Sequence, residues 1–135
     1  MGIKKINVLI VDGDEITLFA YQKILEKYFE RIHKAQNGQE AKDIVFLLEN
    51  DKQHIDLALV HEWTQDLTGK EICQLIRDRN PEARIIAVTA NPIYYKPENA
   101  KEDGFDDYLL KPNNVEDFKK IVFKEKFKDY LLETK

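Results

Sequence analysis

The sequence predicts an α/β fold in which a parallel sheet is covered by helices on both faces. Three observations carry that prediction. Short apolar runs rich in branched residues recur at 6–11, 55–60 and Arg84–Thr89, each bounded by polar or turn residues. Runs of that length suit buried parallel strands better than helices. Between them, apolar residues fall at three- and four-residue spacing. With two weaker strand candidates, strand then helix recurs five times, which implies right-handed crossovers and a doubly covered sheet.

The 135 residues contain no low-complexity stretch, repeat or Gly/Ser linker, so 1–135 reads as one domain. No run approaches the ~20 apolar residues of a membrane span. The opening MGIKKINVLIVDGDE is not a signal peptide, because its apolar part is short and acids follow at once. Ile6, standing where Ser or Thr would be needed, argues against myristoylation at Gly2. One cysteine, Cys73, excludes an internal disulfide and a Cys-based zinc site, and reads as a small buried residue on a helix. The net charge of −4 argues against a broad nucleic-acid surface. The expectations are a cytoplasmic setting, with neither nucleic acid nor membrane as partner.

The first strand covers 6–11. Asp14 then offers a carboxylate to cap a helix over 16–29, whose row of Ile16, Phe19, Ala20, Ile24 and Tyr28 is read as its core face. A weaker strand at Arg31–Ala35 leads to a helix over 38–49 with Ala41, Ile44, Val45 and Leu48 on one face. The strand at 55–60 is followed by a helix over Gly69–Arg79, which presents Ile72, Leu75 and Ile76 and stops before Pro81. After the strand Arg84–Thr89, Pro92 and Pro97 interrupt the approach to a short, poor helix at 98–103, ended by Gly104. Asp107–Leu110 is the last strand candidate. Asn114 caps a long C-terminal helix over about 114–134, with Glu116 and Asp117 in its first turn.

Ligands of such sheets bind beyond the carboxyl ends of the strands. Those ends bring together residues 12–14, 61–63 and 89–91, and Lys111 with Pro112. A carboxylate, an imidazole, a hydroxyl and an ammonium converge there.

These pieces make the chain resemble the receiver domains of two-component response regulators over nearly its whole length. VLIVDGDE resembles their first strand and acidic turn, and AQNGQEA their second strand-to-helix passage. DLALVHEWTQDLTGKEI resembles the third strand and its loop, while IIAVTAN and GFDDYLLKP resemble the fourth and fifth strand ends. The resemblance implies a flavodoxin-like (βα)5 fold with strand order 2-1-3-4-5. It also implies a phosphoaccepting aspartate ending the third strand, and a magnesium ion held by an adjacent acidic pair after the first.

Several residues depart from that pattern. By register from Asp56 and Gly69, His61 occupies the acceptor position. Asp12 matches the first acid of the pair, but Gly13 stands in place of the second, and Gln65 and Asp66 replace the usual proline and glycine of the next loop. Magnesium wants oxygen ligands in octahedral array, and an imidazole suits zinc or copper better. The magnesium site is therefore expected to be lost, with no cofactor in its place and Lys111 paired to Asp12. His61 is read as a partly buried plug bonded to Asp12 or backbone. Thr89 and Tyr108 match the family's hydroxyl and aromatic switch positions.

The sequence therefore suggests a non-enzymatic, atypical receiver acting by phosphorylation-independent contact with a protein partner or with itself. One rival is a live receiver accepting phosphate on His61 or on a nearby carboxylate, Asp14 or Glu62. Glu62 is one residue late on the strand and should point to the opposite face. A weaker rival is a nucleotide- or flavin-binding protein, but VDGDEIT is no Gly-rich phosphate loop. On the last helix, Phe123, Phe127, Tyr130 and Leu131 form a second apolar stripe beside Val115, Phe118, Ile121 and Val122. In the family, the fourth helix, fifth strand and fifth helix commonly form a dimer or partner face. That stripe is accordingly the expected interface, for a homodimer or another protein.

Overall fold

The computed structural model describes residues 5–130. Five strands, β1 (Asn7–Val11), β2 (Arg31–Ala35), β3 (Leu57–His61), β4 (Arg84–Thr89) and β5 (Asp107–Leu110), form one sheet. All are parallel, in the order β2-β1-β3-β4-β5. The helices are α1 (Glu15–Leu25), α2 (Gly38–Asn50), α3 (Gly69–Arg79) and α4 (Val115–Val122). This is the flavodoxin-like arrangement.

The centre of the sheet is buried on both faces, which is why β1, β3 and β4 read as continuous apolar runs rather than alternating ones. Leu9, Val11, Ala58, Val60, Ile85 and Ala87 pack toward α2 and α3. Their neighbours Val8, Ile10, Leu57, Leu59, Ile86 and Val88 pack toward α1 and α4. Cys73 is buried on α3, as read from sequence, and burial pushes its thiol up to about 11.

Each helix begins on a side-chain cap. Asp14 accepts from the Ile16 N–H at 3.0 Å, Asn37 from Glu40 at 2.9 Å and Asn114 from Asp117 at 2.8 Å. Thr68 and Glu71 form a reciprocal capping box at the start of α3. Such caps each contribute about 1 kcal/mol.

Three elements depart from the sequence expectation. On α1 the buried side chains are Thr17, Leu18, Tyr21 and Leu25, while Ile16 and Phe19 are 78% and 60% exposed. At about 100° per residue, those two lie roughly 150° from the centre of the buried row. Both faces of this helix carry apolar residues, and the sheet takes the other one.

Between β4 and β5 the expected helix at 98–103 is only a 3-10 turn, Pro97–Asn99. Pro97 supplies no N–H, and Gly104, at φ +92°, turns the chain into β5.

The long C-terminal helix over 114–134 is also not formed: α4 ends at Val122, and the 3-10 turn Glu125–Phe127 follows. Phe123 leaves helical geometry and Glu125 sits at φ 54°, so the chain folds back on itself. The expected interface residues Phe123 and Phe127 are consequently buried against Phe29. Tyr130 is half-buried and packs on Phe29 and Phe127. Leu131 lies outside the described residues. The geometric conflict between two stripes on one helix is resolved by breaking the helix, which lets Phe118 and Val122 of one and Phe123 and Phe127 of the other join one core.

Among the described residues, no helix is long and apolar enough to cross a membrane.

Candidate functional site

The carboxyl ends of the strands divide their side chains between the two faces of the sheet. Period-two alternation places Asp12, His61 and Lys111 in line with Ile10, Leu59 and Leu109, on the α1/α4 side. Glu62 and Thr89 follow Val60 and Ala87, on the α2/α3 side with Tyr108.

On the first side, Asp12 is buried and Lys111 Nζ lies 2.7 Å from its Oδ2. Lys111 also donates to the Thr17 hydroxyl at 3.0 Å, and Asp12 Oδ1 accepts from the Asp14 N–H at 2.9 Å. Both carboxylate oxygens are therefore engaged. Gly13 needs no special backbone: a Cβ there would meet only the Gln36 carbonyl, at 3.7 Å. Asp14 serves the helix, bonding the Thr17 hydroxyl and the Ile16 N–H, and these bonds hold its carboxyl below the usual range.

His61 is half-buried at the end of β3, and its Nδ1 lies 2.9 Å from the Trp63 carbonyl oxygen. The Trp63 N–H is farther, at 3.3 Å, so Nδ1 is assigned as the donor to the carbonyl. Of the two partners expected for His61, backbone rather than Asp12 is the one it meets. Gly69 closes this loop tightly, because a Cβ there would come within 2.7 Å of the His61 carbonyl.

On the second side, the buried Thr89 hydroxyl donates to Glu62 Oε1 at 2.5 Å. Tyr108 is also buried, and its hydroxyl donates to Asp103 Oδ2 at 2.8 Å. Burial and the Asp103 carboxylate push the Tyr108 phenol up. The same hydrogen bond, with Lys70 Nζ at 3.0 Å, holds the Asp103 carboxyl below its ordinary value.

Two functional contacts were missed from sequence. Glu62 was read only as a misplaced acceptor, but its carboxylate is the partner of the Thr89 hydroxyl. Asp66, read only as a replacement, accepts from the Gly38 and Gln39 N–H groups at 2.7 and 3.0 Å and ties the β3–α3 loop to the start of α2. Free N–H groups at a helix start invite a carboxylate, a signal the sequence did contain.

Comparisons with known proteins agree with this fold. The sequence profile of the response regulator receiver domain matches residues 8–123. The heme response regulator HssR of Staphylococcus epidermidis is 32% identical over 121 residues, covering 90% of this chain and 50% of its own length. A cyclic di-GMP phosphodiesterase of Thermotoga maritima is 30% identical over 82% of this chain but 28% of its own length. The chain thus spans half or less of these relatives. Among solved structures, a CheY-like receiver domain from Methanospirillum hungatei matches with TM-score 0.72 and 27% identity, over 96% of this chain and 99% of that one. The receiver domain of Ssk1 from Saccharomyces cerevisiae, crystallised with the histidine phosphotransfer protein Ypd1, matches with TM-score 0.70 and 27% identity, over 91% of this chain and 90% of the other.

Proposed function

The chain belongs to the response regulator receiver domain family, and from that premise we propose that it signals by binding another protein without forming an aspartyl phosphate. The carrying observation is His61 at the end of β3, with its Nδ1 held on the Trp63 carbonyl at 2.9 Å. An imidazole there is larger than a carboxylate and displaces the reacting atom.

The surrounding oxygens do not fit a magnesium ion. Asp12 gives one oxygen to the Asp14 N–H and the other to Lys111, and the Trp63 carbonyl is taken by His61. Gly13 brings no side-chain ligand. A small, hard cation needing an octahedral oxygen shell would find one carboxylate, already paired with an ammonium, and no second acid beside it. Thr89, the matching switch hydroxyl, is already held by a carboxylate of the same chain.

Receiver domains interact with protein partners, as the Ypd1 complex illustrates. With Phe123 and Phe127 buried, they offer nothing to the expected interface. Exposed apolar surface lies instead on α1, at Ile16 and Phe19, and at Val115 at the start of α4. Lys27 and Lys119 line the groove beside Val115, with Lys23 paired to Glu26 at 3.3 Å, and the net positive charge suits a partner surface of mixed apolar and acidic character.

Intact mass after incubation with acetyl phosphate and magnesium tests the reading. The wild-type mass is expected to stay unchanged, and a stoichiometric phosphate adduct would overturn the proposal. The double variant Gly13→Asp, His61→Asp is expected to gain the adduct, since the backbone at 13 accepts a side chain.

A further inference from the structure

Because a three-residue turn replaces a helix between β4 and β5, the α2/α3 face opens into a cleft of about 530 Å³. That volume is in the range of small-molecule sites. Phe105 and Tyr108 line it from the core. Trp63, Ile93 and Tyr94 stand around it at 59%, 72% and 52% exposure, three of the largest solvent-facing apolar side chains in the described chain. They come from two separate loops, after β3 and after β4. Large apolar groups converging on one concavity leave an unfilled slot for a flat apolar body.

The polar groups of the cleft sort by what they still lack. Glu62 accepts from Thr89, and Asp103 accepts from Tyr108 and pairs with Lys70. Four donors line the cleft with no hydrogen bond among the described residues: Lys96 Nζ, the Asn99 side-chain amide, the Trp63 indole N–H and the Tyr94 hydroxyl; the Lys96 charge acts on Asp103 from beyond ion-pair distance. What the cleft still lacks is therefore an acceptor, ideally a charged one beside Lys96.

We infer that this cleft binds a small planar aromatic molecule bearing a carboxylate or comparable anionic group. Its rings lie among Trp63, Ile93 and Tyr94 over Tyr108, and its anion faces Lys96 with Asn99 and the indole N–H. The inference is independent of the partner-binding reading, since it concerns the isolated chain without phosphodonor or partner.

The test is a titration of the ¹⁵N-labelled chain with 2-naphthoate and with the neutral 2-naphthamide, followed by amide and indole N–H shifts. The chain has one tryptophan, so the Trp63 indole gives a single signal. Saturable movement of that signal and of the Tyr94 and Asn99 amides is expected. The acid should bind about fivefold more tightly than the amide, the scale of one exposed ion pair. Lys96→Gln should erase that preference, and Tyr94→Ser should weaken both ligands. Both side chains are exposed, so neither variant threatens the fold. Absence of saturable shifts, equal affinity for acid and amide, or shifts centred on α1 around Phe19 would each overturn the assignment.

Discussion

On the α1/α4 face of the sheet, Phe29 stacks on Phe123 with ring centroids 5.9 Å apart, and meets Phe127 edge-on and Tyr130 at a tilt. On the α2/α3 face, Tyr108 meets Phe105 at 5.8 Å and Tyr95 edge-on at 6.4 Å. The side chains are of the same kind, but their covers differ. The first cluster receives α1, α4 and a segment that folds back over it, where Lys124 donates to Asp107 at 3.3 Å and Lys126 to the Glu82 carbonyl at 2.6 Å. The second packs with α3 and beside the turn Pro97–Asn99, and Phe105 and Tyr108 still line the open cleft. Whether a ring acts as core or as binding surface is decided here by whether backbone returns over it.

The largest expected effect breaks the sealed side. Phe127 is 1% exposed, so Phe127→Asp loses its burial, leaves a cavity and places a carboxylate among rings. A loss of about 3–5 kcal/mol is expected in urea unfolding. On the open side, Tyr94→Asp should change stability by no more than about 0.5 kcal/mol. If Phe127→Asp kept its stability and instead halved the mass seen by light scattering, the sealed cluster would be an interface after all.

Next in size is the ion pair that closes the strand ends on the same side. Lys111, just past β5, pairs with Asp12, just past β1, and bonds Thr17 on α1. Lys111→Met should cost about 2 kcal/mol in denaturant unfolding, below a full buried-pair loss because Asp12 keeps the Asp14 N–H. A second change, Asp12→Leu, should recover part of that loss, since it removes the carboxylate left unpaired.

The open side should respond less. Tyr108→Phe removes the hydroxyl from Asp103 and should cost about 1 kcal/mol at neutral pH. Its pH signature is more telling. The Tyr108 pKa is raised above 10.0, so its contribution is complete below pH 10.0 and disappears as pH climbs through the raised value. The Asp103 pKa is lowered from 3.8, so its contribution is present above pH 3.8 and disappears as pH falls through the lowered value. Wild-type stability should fall off at both extremes, and the variant should be flatter at both. Thermal unfolding across pH checks this, and parallel curves would mean that the hydroxyl and carboxylate are not coupled.

The two faces were unequally legible from sequence. β2, β4, β5 and α3 keep their expected bounds: β4 is buried throughout, the weaker runs β2 and β5 pair at the sheet edges, and α3 has a cap at Thr68 and a stop at Pro81. Topology brings Asp12 and Lys111 to the same end of the sheet, and the missing acids of the receiver pattern leave them to each other. α1 did not, because Ile16 and Phe19 compete with Leu18, Tyr21 and Leu25, and periodicity does not say which row the sheet takes. The break after Val122 carries no Gly or Pro: FKEKFKDY turns through Glu125 in the left-handed region, and the gain lies in burying Phe123 and Phe127 on Phe29, a contact about 100 residues away in sequence. Glu62 was legible as a carboxylate on the far face, but its bond to Thr89 depends on the β3–β4 pairing that brings the two strand ends together.

The smallest expected change in stability tests the outer surface of the sealed side. Phe19 is exposed on α1, with the Lys23 ammonium 5.4 Å from its ring centroid. Phe19→Asp loses that exposed cation–ring contact and almost no buried area, so stability should move by no more than about 0.5 kcal/mol. A ring left in solvent beside lysines has no folding task, whereas a docking task would make it indispensable. Affinity capture from the native cell with wild type as bait identifies the bound protein. Phe19→Asp should then lose that protein while unfolding at the wild-type urea concentration. Undiminished capture would move the docking face away from α1 and leave the open cleft side as the surface to test.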